Sequence, residues 1–326
     1  MPKITVKNPD KIYFPGSKIT KLQVIEYYQK IAPIMLKYCK NRPVSMERYP
    51  GDSNTKKLFF QKNIPTYFPD WIKRVKVLNK SVNKSKQKFT TYVLCQNRSS
   101  LLYLANQACI TLHLWLSTIR NLEQPDVLIF DLDPGNKLAL NHSSSNTSKN
   151  TNGNNKHSIG GKQPGKLKID FGPVKLAALA LKEILENKYG LTAFVMTTGS
   201  RGLHVRVPIK PTVEFDYVRE FARLIAEQVV TQYPDKMTME ARKHKRKNRL
   251  LIDVMRNSYG ATAVAPYAIR ARSNAPVATP LDWAELKNKN LNSQKYNIKN
   301  IFKRIKLKGD LWHDMKRKAV SLKNLI

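Results

Sequence analysis

Two carboxylates two residues apart, Asp131 and Asp133, close the apolar run Val127-Leu128-Ile129-Phe130 and are followed by Pro134-Gly135. An apolar run bounded by turn residues reads as a buried strand. Strand side chains alternate faces, so Asp131 and Asp133 point the same way while Leu132 points into the core. The Pro-Gly turn leaves both acids at a strand tip, open to solvent and ligand. Such paired oxygens suit a hard divalent cation, Mg²⁺ or Mn²⁺; the plainer alternative is a strand end whose aspartates only cap a turn. A third acid, Asp253, ends the apolar run Leu250-Leu251-Ile252 and is followed by Arg256. Three strand-borne aspartates can form a two-metal site that activates an attacking hydroxyl and neutralises a pyrophosphate leaving group.

A phosphate-binding element is the natural complement. Thr197-Thr198-Gly199-Ser200-Arg201-Gly202 reads as a turn between a strand over Leu191–Met196 and a return strand over Leu203–Ile209. In the return strand Leu203, Val205 and Val207 alternate with His204 and Arg206, which places the last two on the open face. A hydroxyl, glycine amides, an arginine and a histidine at one hairpin make a phosphate cradle, or else an ordinary glycine turn beside a solvated basic face. The run Arg242–Arg249 packs six fixed cations into eight residues, a pattern common in solvated loops. Over the whole chain the formal net charge is +35. Such a field favours a polyanion, nucleic acid above all, although an AT-rich genome also inflates lysine.

Several elements must position these groups. Thr20 caps a helix from Lys21, with Leu22, Ile25, Tyr28 and Ile31 at helical spacing, and Pro33 predicts a kink or a break before Cys39. Arg42–Pro50 predicts a strand and turn, Thr90–Leu94 a strand, and Leu101–Leu116 a helix carrying His113. Phe59 and Phe60 point to opposite faces if extended, so at most one is core, and the other could stack on a base. Helices are predicted over 174–188 and 217–232. Residues 136–166 hold seven Asn, five Ser, five Lys and no acid, which by composition is a disordered loop. No run of about 18 apolar residues and no apolar leader occurs, so no membrane partner is expected. Cys39, Cys95 and Cys109 lack metal-type spacing and read as reduced thiols of a cytoplasmic protein.

Taken together the pieces describe nucleotidyl transfer on nucleic acid. Several long motifs, in order, resemble the polymerase domain of bacterial ligase D, a member of the archaeo-eukaryotic primase superfamily used in non-homologous end joining. They are Asn8-Pro-Asp-Lys11 with Ile19-Thr-Lys21, Phe59-Phe-Gln-Lys62, Leu112-His113-Leu-Trp115, Phe130-Asp-Leu-Asp-Pro-Gly135, Gly199-Ser-Arg-Gly-Leu-His-Val205, Ile252-Asp-Val-Met-Arg-Asn257, Thr262-Ala-Val-Ala-Pro-Tyr267 and Ala275–Trp283. The resemblance covers nearly all of the chain outside 136–166. It implies an α+β primase-polymerase fold, with an RRM-like catalytic unit over residues 121–326 and an N-terminal α/β unit over residues 1–120. It implies that Asp131, Asp133 and Asp253 are catalytic and hold two divalent ions. Thr198, Arg201, His204, Arg256, Arg270 and His113 would contact an NTP or dNTP. Asn8, Lys11 and Lys21 would form a pocket for the 5′-phosphate at a DNA gap or double-strand break, and Phe59, Phe60 and Lys62 would meet the template. A Ku protein and a separate ATP-dependent DNA ligase are the implied partners, in the bacterial cytoplasm at the nucleoid.

The chain departs from that pattern in places. Thr198 stands where serine is common and Arg201 where lysine is usual, and a guanidinium fork is not equivalent to an ammonium. The insertion after Gly135 is not typical, and no K-x-D-G ligase motif occurs, so a stand-alone polymerase and a fragment of a longer product are both open. Two other readings stay open: a primase that starts chains without a primer, and a non-catalytic DNA-end-binding module that recruits a ligase.

Overall fold

The computed structural model describes residues 4–50, 59–80, 88–134 and 170–325; the segment 136–166, with its expected disorder, lies outside them. In chain order the elements are β1 (Ile12–Phe14), β2 (Ile19–Thr20), α1 (Lys21–Cys39), β3 (Pro43–Arg48), β4 (Phe59–Gln61), β5 (Arg74–Leu78), β6 (Phe89–Leu94), α2 (Arg98–Asn106) and β7 (Cys109–Trp115). They continue with β8 (Val127–Asp133), α3 (Gly172–Glu183), β9 (Phe194–Thr197), β10 (Leu203–Pro208), α4 (Phe215–Gln232), β11 (Met237–Thr238), β12 (Leu250–Asp253), β13 (Thr262–Val264), β14 (Pro280–Leu281) and α5 (Ile301–Lys308).

Two six-stranded sheets carry the fold, an α+β arrangement. The first runs β13-β7-β3-β6-β5, with β4 also paired to β3. The second runs β11-β12-β8-β10-β9-β14. Within it, β8-α3-β9-β10-α4-β12 is a βαββαβ unit whose four strands pair antiparallel in the order β12-β8-β10-β9, the RRM-type arrangement. Its helices cover one face: Leu128, Phe130, Leu132, Leu203, Val205 and Val207 pack with Val174, Leu181, Val218, Phe221 and Ile225 in one core. The alternate residues of the same strands are thereby committed to the other face.

The first sheet has its own core, built with α1 and α2, and it draws residues from both ends of the chain. Tyr27 and Tyr28 share it with Tyr267, Ile269, Ile301 and Trp312. Two hydrogen bonds tie these regions: the Tyr27 hydroxyl donates to the Tyr267 carbonyl (2.7 Å), and the Ile269 amide donates to the Tyr28 hydroxyl (3.1 Å). All three cysteines are buried free thiols. Among the described residues no helix is long and apolar enough to cross a membrane.

One expectation, of a kink or a break at Pro33, loses its second half here, and another is corrected. Helix α1 runs unbroken through Pro33, because Pro33 lies on its exposed face, where water can take the carbonyl that the ring leaves without a donor. The stretch 101–116 is not one helix. It turns at Ala108, whose φ is +60°, and continues as β7, seven residues that are all buried. A strand covered on both faces loses its alternation, so its apolar run mimics a helix face.

Candidate active site

Nine residues nominated from sequence line one cleft of about 690 Å³ between the sheets: His113, Asp131, Asp133, Thr198, Arg201, His204, Asp253, Arg256 and Arg270. Strand register explains the meeting. Asp131 lies opposite Asp253 on β12 and opposite His204 on β10, so the three share one face of adjacent strands. Asp133 follows two residues on, on that same face. At the tip, Gly202 lies so close to β8 that a Cβ there would sit 1.8 Å from the Leu132 carbonyl oxygen. Only glycine lets the turn close over the aspartate strand.

The carboxylates are held by cations. Asp131 accepts from Arg256 Nε at 3.1 Å and lies 3.4 Å from His204 Nε2. Asp133 accepts from Arg201 at 2.9 Å, with Arg246 3.5 Å from its other oxygen. Asp253 accepts from the Met255 amide at 2.8 Å and stands 3.9 Å from Arg256. Burial alone would push the Asp131 carboxyl up, but His204 and the Arg256 guanidinium outweigh it and hold the group well below the usual carboxylate range. Asp253 goes the other way: burial, with the Asp131 charge beside it, raises its pKa. His204 is pulled down by burial against the opposing effect of Asp131.

These oxygens are hard donors of the type Mg²⁺ and Mn²⁺ take, and the backbone register puts the three acids on one face. As the side chains stand, among the described residues no group of three acid, His or Cys ligands is arranged to hold a metal ion. Arg256 lies on Asp131 and Asp253, and Arg201 and Arg246 lie on Asp133. The donor set fits a divalent pair once those arginines turn to another anion. Six fixed cations face three carboxylates across the described lining, which leaves charge for a polyphosphate.

The turn at 198–202 is tied together by its own hydroxyl. The Thr198 hydroxyl points into the turn, donating to the Gly202 carbonyl (3.1 Å) and accepting from the Ser200 and Gly202 amides (3.3 Å each). Arg270 donates to the Thr198 carbonyl at 3.1 Å. Thr198 is therefore engaged within the turn, with Arg270 bound to its carbonyl.

His113 sits on β7 rather than on a helix. It is 8% exposed, 2.8 Å from Glu47 Oε2, with the Phe60 ring 5.0 Å away. Burial lowers the His113 pKa while Glu47 opposes that; Glu47 itself would be raised by burial, yet His113, Arg270 and the Tyr49 hydroxyl bring it down to about 2. Glu47→Gln should lower the His113 pKa further, read from its ring protons by NMR titration. Global stability at neutral pH should fall by about 1–3 kcal/mol. The sign follows because a depressed carboxylate stabilises above its unfolded pKa and loses that contribution as pH falls towards 2. An unmoved His113 titration would mean that Glu47 does not govern the ring.

Sequence reasoning missed Glu47, Lys243, Arg246, Arg272 and Gln294. Arg246 belongs to the cationic run read as a solvated loop, yet it is 6% exposed and anchored by the Glu240 and Ala241 carbonyls at 3.0 and 2.8 Å. Nothing in such a run marks one cation as inward. For Glu47 there was a signal, since it is an acid inside an otherwise strand-like segment.

The remaining nominated residues lie outside the lining of this cleft. Phe59 and Phe60 on β4 are 41% and 55% exposed, so neither is core, within the expectation that at most one would be. Arg48 lies 5.6 Å from the Phe59 ring, and Lys62 is exposed beyond β4. Asn8, Lys11 and Lys21 do come together: the Lys11 amide donates to the Asn8 carbonyl (3.2 Å) and the Lys21 amide to the Lys11 carbonyl (2.8 Å). Burial and the nearby Lys11 charge lower the Lys21 pKa. The first-turn amides of α1 are already taken. Lys21 N donates to Lys11 O, Leu22 N to Pro9 O and Gln23 N to Thr20 Oγ1, so an anion here would rely on side chains.

This fold, an RRM-type sheet beside a second, antiparallel sheet, is similar to that of the polymerase domain of Mycobacterium tuberculosis ligase D, solved in complex with DNA. The likeness has a TM-score of 0.80 and 26% identity over 97% of this chain and 99% of that one. The chain belongs to the LigD primase-polymerase domain family, whose model matches residues 20–149 and 163–312. Members are DNA polymerase or nucleotidyltransferase domains of end-joining proteins. The chain is 28% identical over 317 residues to the bifunctional non-homologous end joining protein LigD of Bacillus subtilis strain 168, covering 97% of this chain and 44% of that protein. It is 26% identical to the multifunctional LigD of Mycolicibacterium smegmatis, over 95% and 35%. It thus spans less than half the length of these curated relatives.

Proposed function

We propose that the chain is a template-directed nucleotidyltransferase that adds NTPs or dNTPs to DNA 3′ ends at gaps and double-strand breaks. The observation that carries this is the placing of Asp131 and Asp253 opposite one another on adjacent strands, facing a cleft with an excess of fixed cations. Asp131, Asp133 and Asp253 would hold two divalent cations, Mn²⁺ or Mg²⁺, whose chemistry when bound is to activate the attacking 3′-hydroxyl and offset the charge of the departing pyrophosphate.

The protein's own groups do the rest. Arg201, Arg256 and Arg270 turn from the carboxylates and the turn carbonyl to the triphosphate, a bidentate role suited to the guanidinium. His204, buried, offers a ring nitrogen beside Asp131. The 198–202 turn fixes Arg201 at the mouth of the cleft. His113, oriented by Glu47, stands beside Phe60 at the side where a templated base would enter. In this division of labour residues 1–120 supply the DNA contacts, Phe59, Phe60 and Lys62 to the template and Asn8, Lys11 and Lys21 to a 5′-phosphate, while residues 121–326 supply the chemistry. Ku and a separate ligase are the partners that end joining would require, in the bacterial cytoplasm at the nucleoid.

The test compares two substrates under equal conditions: a primed gap with a downstream 5′-phosphate, and an unprimed single strand. Extension confined to the primed gap is the expected result. Products on the unprimed strand would make the protein a primase. Tight gap binding with no product on either substrate would make it an end-binding module.

A further inference from the structure

Ala263 lines both the catalytic cleft and a second cavity of about 730 Å³, which no step above uses. We propose that this second cavity binds a phosphate-type oxyanion, with Arg206 as its buried counter-charge and Lys210 and Lys316 at its rim. Arg206 projects from β10 and is only 7% exposed. One of its terminal nitrogens donates to the Val264 carbonyl at 2.6 Å, and its guanidinium lies 5.8 Å from the Trp312 ring. Its Nε has no hydrogen-bond partner, and among the described residues no carboxylate pairs with it. Trp312, 2% exposed and lining the same cavity, also leaves its ring N–H without an acceptor.

Buried donors are rarely left unmatched, and a buried cation without a counter-ion is rarer still. The one acid among the described lining residues, Asp126, has its charge taken by Arg42: Oδ2 accepts a hydrogen bond at 2.7 Å, and Oδ1 lies 2.6 Å from the guanidinium without hydrogen-bond geometry. Lys210 and Lys316 are exposed at the edge and in no ion pair with a described residue. Among its described lining residues the cavity therefore carries cations well in excess of its one carboxylate, which is the complement of a multiply charged oxyanion. Burial and the nearby Arg42 lower the Arg206 pKa to about 9, and the more distant Asp131 and Tyr38 offset only part of that. The shared chemistry, a phosphate group, can come from orthophosphate or from a nucleoside monophosphate.

Thermal unfolding of the whole chain, with chloride exchanged for phosphate at constant ionic strength, tests the assignment. Phosphate should raise the Tm of the wild type and of Arg201→Ala, a change in the catalytic cleft, by about 2–4 °C at about ten times Kd. It should leave Arg206→Met unmoved, and that variant should unfold in chloride no lower than the wild type, because an unpaired buried charge is gone. If Arg206→Met does not fold, Lys210→Glu with Lys316→Glu, both at exposed positions, should abolish the response. A parallel titration with AMP, against adenosine as a control, separates the sources. AMP acting at lower concentration than phosphate, through Arg206, names a nucleotide; equal potency names the free ion. A shift that persists in Arg206→Met, one lost in Arg201→Ala, or no shift in the wild type overturns the proposal. None of these outcomes depends on polymerase activity, so failure here is distinct from failure of the functional reading.

Discussion

Asp131→Asn and Asp253→Asn should both reduce nucleotide addition at a primed gap to below about one-hundredth of wild type, yet move stability in opposite directions. Asp131 is the shared partner of Arg256 and His204, and its carboxyl is depressed in the fold. A depressed carboxylate stabilises above its unfolded pKa, about 3.9, and loses that contribution only as pH falls through its folded value. Removing its charge should therefore cost about 1.5–3 kcal/mol at neutral pH, most of it from Arg256 losing its acceptor. Asp253 is raised by burial and by the Asp131 charge, so its ionised form is a net burden at neutral pH. Its neutral replacement should leave the unfolding midpoint unchanged or higher. Urea unfolding of the two variants, beside the extension assay, reads both effects. Near-normal extension by Asp253→Asn would remove it from the catalytic set, and equal destabilisation by both would contradict the electrostatic asymmetry.

The second large effect is expected at the start of the chain. A gap carrying a 5′-phosphate should bind about 10–100-fold more tightly than the same gap with a 5′-hydroxyl, from one or two charge-assisted contacts of about 1.5–3 kcal/mol each, reduced by salt. Lys11→Ala with Lys21→Ala should bring that ratio close to one without changing nucleotide affinity. The two amines now donate to backbone carbonyls, Lys11 to Pro50 at 2.6 Å and Lys21 to Lys7 at 2.8 Å. Burial, and then the Lys11 charge nearby, lower the Lys21 pKa, and no described acid pairs with either amine. A dianion arriving there would relieve that repulsion. Lysines that merely add background attraction would weaken both DNAs alike and leave the ratio intact. Four affinities at one fixed salt concentration decide between the two.

The strands that carry the aspartates were legible in the sequence because their polar residues follow a period of two. Asp131, Asp133 and His204 interrupt apolar alternation, and alternation alone assigns them to one face. The pairing of Asp131 with Asp253 needed the register of β8 and β12, which no local pattern carries. Strand β7 was misread because burial on both faces erased the alternation that marks a strand. Arg246 was invisible for a different reason: a run of cations looks the same whether one member turns inward or none does. At Thr198 and at the first turn of α1, residue type carried no sign of the hydrogen bonds each makes within its own turn. A hydroxyl or an amide near an anion site can be spent on its own turn, and only coordinates show which.

The most direct test of the functional account is single-nucleotide addition by the intact protein to a primed gap with a 5′-phosphate, with the templating base set in turn to each of the four. Each NTP and dNTP is offered separately, with Mn²⁺ or Mg²⁺ present and, in a control, with a chelator. The account predicts that the nucleotide added follows the templating base and that the chelator stops addition. Addition indifferent to the templating base, or no addition to a gap that the protein demonstrably binds, would contradict it.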